Sequence, residues 1–163
     1  MKCMSPVLVL LAGLGLAATV QASPQHDHGQ AHAYAKPAAV PAQRWTPDAP
    51  LRAGMRRAHT AVAELAHHEM GHMRAPMAVD RATEVESAVT YMFANCKLSA
   101  EPDAALHGIL VPLLTAAQAL KADPAKVSAV ADMRAAIAHY PQYFNDPGWD
   151  KPVPVEHVMH DEP

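Results

Sequence analysis

The chain has 163 residues and a formal net charge of −3, from 13 Lys and Arg against 16 Asp and Glu. That length suits one domain with one core, and the charge gives no basic surface for nucleic acid, which argues against such a partner. Half the residues are hydrophobic but only 5% are aromatic, and β-branched residues do not cluster into alternating strands, so the composition points to helices.

The N-terminus reads as a secretory signal over residues 1–22. Lys2 gives the positive start, an apolar run from Pro6 to Val20 follows, and Val20-Gln21-Ala22 puts small residues where a signal peptidase needs them. The run is too short and too rich in Ala and Gly for a comfortable membrane span of roughly 20 residues. The expectation is cleavage after Ala22, a periplasmic or equivalent extracytoplasmic protein, and no stable span afterwards; an uncleaved N-terminal anchor is the alternative. Cys3 precedes the apolar run, so the lipoprotein pattern fails. Cleavage removes Cys3 and leaves Cys96 alone, with no internal disulfide to staple the fold.

Residues 23–44 are rich in Ala, Pro, Gln and His, include His26, His28 and His32, and lack apolar periodicity. Such a segment cannot bury a core and is expected to be disordered. Residues 150–163 read the same way and carry His157, Met159 and His160.

The spacing between the tails, over residues 45–149, predicts four helices. The first runs from about Pro50 to Met73, with Leu51, Met55, His59, Val62, Ala66 and Met73 on one face, and Gly71 and Pro76 mark its end. The second runs from about Asp80 to Lys97, with Thr83 and Glu86 at capping-box spacing and a stripe of Val85, Ala88, Val89, Met92 and Cys96. The third starts near Pro102 and carries Leu106, Ile109, Leu110, Leu113, Ala117 and Leu120, with Pro112 inside it. The fourth opens at Asp123-Pro124 as a cap and first-position pair, shows Val127, Val130, Met133 and Ile137, and ends at Pro141. Tyr140, Tyr143, Phe144 and Trp149 follow and are placed to close one end. Short links favour an all-α, antiparallel four-helix bundle with disordered tails.

The stretch His67-His68-Glu69-Met70-Gly71-His72-Met73 carries three imidazoles and two thioethers. Imidazole suits copper, zinc and nickel, and thioether sulfur selects the softer Cu(I). On a continuous helix, His68 and His72 lie one turn apart on one side, and Met70 and Met73 one turn apart on another. The expectation is a non-enzymatic metal-binding surface with His67, His68, Met70, His72 and Met73 as donors and copper as the ion. A polar helix end whose Met residues simply pack is the plain alternative. The same residues satisfy the zinc-protease pattern His-Glu-x-x-His, in which two His bind zinc and Glu69 acts as base. The extension expected of the larger protease class is missing, and a small bundle offers no cleft for a peptide.

Two further constellations stand beside it. Met92, Cys96 and His107 are close enough in the predicted order to form a soft-metal site, although Cys96 on an apolar stripe is more simply a small hydrophobe. A Met near the start of the first helix and a His near the end of the fourth resembles the plan of cytochrome b562-type bundles. That resemblance implies haem with Met55 and His139 as axial ligands, yet helical rotation turns His139 off the core stripe. The segments Asn95-Cys96-Lys97-Leu98, Ala105-Leu106-His107, Tyr140-Pro141-Gln142-Tyr143-Phe144 and Pro147-Gly148-Trp149 resemble a group of small proteobacterial periplasmic proteins. This resemblance implies export and a helical fold and brings no activity with it.

Overall fold

A computed structural model describes residues 39–149 and Lys151. The expected signal, His26, His28 and His32, and the C-terminal His157, Met159 and His160 lie outside the described residues. Among the described residues the chain is all-α. Four longer helices, α1 (Ala49–Glu64), α3 (Ala75–Asn95), α4 (Ala100–Ala122) and α5 (Ser128–Ala138), are accompanied by two single-turn helices, α2 (Ala66–Glu69) between α1 and α3 and α6 (Tyr140–Tyr143) after α5.

Helix α1 starts where Asp48 accepts the Leu51 N–H on Oδ1 at 2.8 Å, with Pro50 in the first turn, so one orphan donor is satisfied and one is never presented. The other carboxylate oxygen, Oδ2, accepts the Lys97 N–H at 2.7 Å and ties the start of α1 to the end of α3. The apolar stripe packs α1 against α3, and α4 then lies against both α3 and α5. Leu51, Met55 and Val62 of α1, Val85, Val89 and Met92 of α3, Leu106, Leu110, Leu113 and Leu120 of α4, and Val130, Met133 and Ile137 of α5 form one buried core. Each side chain of this size contributes about 1.5–3 kcal/mol by leaving water. Helix α4 is long and apolar enough by composition to cross a membrane; in this fold Leu106, Ile109, Leu110, Leu113 and Leu120 are buried in the core, while Val111 is exposed. Glu101 and Asp103 in its first turn and Lys121 in its last suit the helix dipole.

The segment after α6 pairs with Trp45, just before the start of α1. Trp45 N–H donates to Tyr143 O at 2.9 Å and Asn145 N–H to Trp45 O at 2.8 Å. Trp45 stacks near Tyr143 and Phe144, and Tyr140 packs on Phe144 and Trp149. The aromatic cluster expected at one end is present, and the buried Tyr140 hydroxyl donates to Asp146 Oδ2 at 3.2 Å. Burial, then the Asp146 carboxylate, push the Tyr140 phenol well above its ordinary range.

Several boundaries differ from the sequence reading. The first helix does not reach Met73. It breaks at Leu65, resumes for one turn, and is stopped at Gly71, whose φ is +75°. The His72 N–H then reaches back to His67 O at 2.8 Å and the Gly71 N–H to His68 O at 3.0 Å. This pair of bonds is the glycine-terminated helix stop. The second helix begins at Ala75, not Asp80, because Pro76 suits its first turn. Thr83 therefore lies inside the helix and donates to Val79 O at 2.8 Å, so the expected capping box does not form. Asp123-Pro124 makes a turn instead of a cap: Asp123 Oδ1 accepts the Ala125 N–H at 3.0 Å, the helix waits until Ser128, and Val127 is exposed. Pro141 starts the last short helix, and the fourth long helix has already ended at Ala138.

Candidate metal centre

The donor-rich stretch occupies α2, the glycine stop and the linker to α3. Gly71 breaks the helical frame between His68 and His72, so these two imidazoles are not one turn apart on a common face. The same break separates Met70 from Met73. His67, Met70 and His72 are exposed, and His68 and Met73 are half-buried. Among the described residues, no three His, Cys, Asp or Glu side chains gather closely enough to hold a metal ion. The three imidazoles of this stretch therefore do not converge.

His68 is held by main chain. Its Nε2 lies 2.8 Å from Pro124 O and its Nδ1 lies 3.4 Å from Met73 O. A neutral ring has one N–H, and the shorter contact assigns it to Nε2, which donates to Pro124. The Nδ1 lone pair then faces the Met73 carbonyl. One imidazole thus ties the α2–α3 linker to the α4–α5 linker. Met73 packs its side chain against the core. Glu69 pairs with Arg134 of α5. The zinc-protease pattern needs both His on one helix with the Glu between them; here the helix ends at Glu69 and that carboxylate is engaged by an arginine.

Packing also sets the surroundings of the other constellations. Met92 is fully buried and its Cγ and Sδ fill the space left by Gly54. Cys96 is half-buried, and its thiol is pushed up to about 12, first by burial and then by the Asp48 carboxylate and Asp103. A thiolate, the form that binds metal, is strongly disfavoured there. His107 Nδ1 lies 2.9 Å from Asp103 O, and its ring packs on Phe93. Met55 is fully buried while His139 is exposed at the end of α5, in keeping with the rotation that turned His139 off the core.

Sequence reasoning passed over a groove between α1 and α5, lined by His59, Val62, Ile137, Arg134 and Trp149. The His59 ring stacks on Trp149 at 4.5 Å between centroids, and burial lowers its pKa from the ordinary value. Nothing in the local sequence signals this pairing, because the two residues are far apart in the chain. No family model matches the chain, and no curated protein or solved structure matches it either.

Proposed function

We propose that this protein is an exported, periplasmic helical bundle that captures or buffers a soft transition metal ion, Cu(I) in particular, and does no catalysis. One observation carries this reading. His67, Met70 and His72 present a thioether and two imidazoles to solvent around a single helix stop, with Met70 56% exposed. The donor chemistry fits Cu(I), which accepts few ligands and favours thioether sulfur, and fits zinc poorly, since zinc asks for a closed cage of N, S and O donors. The linker after Gly71 is outside any helix, so the exposed His72 can close on an ion without breaking the core.

The bundle that carries the site has an antiparallel, up-down-up-down order in this proposal. The Asp48–Lys97 bond joins the start of α1 to the end of α3, and the His68–Pro124 bond joins the α2–α3 and α4–α5 linkers. Both ties support that order, as do the short links. The His-bearing terminal segments serve as arms that raise the local donor concentration. Competition of the purified protein against Cu(I) and Zn(II) chelators tests the reading. Cu(I) is expected to bind at least about tenfold more tightly than Zn(II), a difference of about 1.4 kcal/mol. Equal or tighter zinc binding counts against it.

A further inference from the structure

We infer that the thioether of Met77 is a ligand of this soft-metal site, and that Met73 is not. The inference rests on the Cu(I) reading above and changes its ligand set. The fold divides the donors around the helix stop into two groups. Met73 is already used, since its side chain packs on the core, and His68 is tied through one ring nitrogen to Pro124 O, which leaves the other nitrogen as a metal donor. His67, Met70, His72 and Met77 are exposed, and among the described residues their side chains make no hydrogen bond or ion pair.

Met77 lies just beyond the donor-rich stretch in the sequence. It stands in the first turn of α3, 42% exposed. Single exposed hydrophobics are ordinary. Here two of the exposed large hydrophobics, Met70 and Met77, flank the same turn with exposed imidazoles beside it. His68 Nδ1 lies 3.4 Å from Met73 O, so the linker runs beside α2 and α3 begins close to the end of α2. Methionine is unbranched, with three rotatable bonds and a polarisable sulfur, and can swing from either side of the turn to a shared ion. Cu(I) takes soft donors in low number, so two thioethers with one or two imidazoles suffice.

The test is anaerobic competition of the full chain against the Cu(I) chelator bicinchoninate, for the parent, Met77→Leu and Met73→Leu. Leucine keeps the apolar volume, so both variants should fold, and circular dichroism with a melting curve checks that they do. Met77→Leu is expected to weaken Cu(I) binding at least about tenfold, and Met73→Leu to stay within about threefold of the parent. Parent-like affinity in Met77→Leu, or an equal loss in Met73→Leu, overturns the inference and leaves the Cu(I) reading standing. A parent that cannot compete for Cu(I) at all overturns both.

Discussion

His59 shows how a single side chain couples this fold to pH. It is half-buried on α1 and stacked on Trp149, with Arg134 lining the same groove. Burial lowers its pKa below the ordinary value of 6.5, so the folded state prefers the neutral ring. The unfolded chain then binds the proton more readily as pH falls, and stability contributed by neutral His59 is full above about 6.5 and drains as pH drops through that value toward the folded pKa. Thermal melts at pH 8 and pH 5 check this with His59→Phe, which keeps a stackable ring and cannot titrate. The parent should lose more melting temperature between the two conditions than the variant does. Identical pH dependence would mean that other groups carry the effect. The residue-scale lesson concerns visibility. Met55, Leu110 and Met133 are legible as core from spacing alone. The partners of His68, Glu69 and His59 are not, since Pro124, Arg134 and Trp149 are distant in sequence and meet them only after the helices dock.

At the scale of elements, Gly54 sets how closely α1 and α3 approach. A Cβ there would sit 2.2 Å from Met92 Cγ and 2.7 Å from its Sδ, with Ala88 O at 3.4 Å. Gly54→Ala should therefore destabilise by about 1–3 kcal/mol through overpacking, although alanine is the better helix former by about 1 kcal/mol. Gly108→Ala in α4 is the matched control: nothing lies within 4 Å of its added Cβ, so only the propensity gain remains. Urea denaturation reads both, and a Gly54→Ala midpoint at or above the parent's would refute the close approach. The helices themselves are legible because four apolar stripes recur at three- and four-residue spacing. Their ends are less so, for a physical reason. Gly71 and Pro76 both signal an ending, but Gly71 at positive φ stops one helix while Pro76 fits the first turn of the next. Asp123-Pro124 suits either a cap or a turn, and the bond from Asp123 to the Ala125 N–H selects the turn.

At the scale of the molecule, the buried interior is given over to packing, and the proposed metal site lies on one exposed turn. Met55, Met92 and Met133 are fully buried, so their sulfurs belong to the core. Among the described residues, Met70 and Met77 are the exposed thioethers. The central claim is that thioether sulfur from this turn binds Cu(I). X-ray absorption spectroscopy of the Cu(I)-loaded protein with Cys3→Ser and Cys96→Ser tests it most directly, because any sulfur around copper must then come from methionine. The account predicts a sulfur shell in that protein that is lost when Met70→Leu and Met77→Leu are added. A copper environment of nitrogen and oxygen alone, or a sulfur shell untouched by the two leucines, would contradict it.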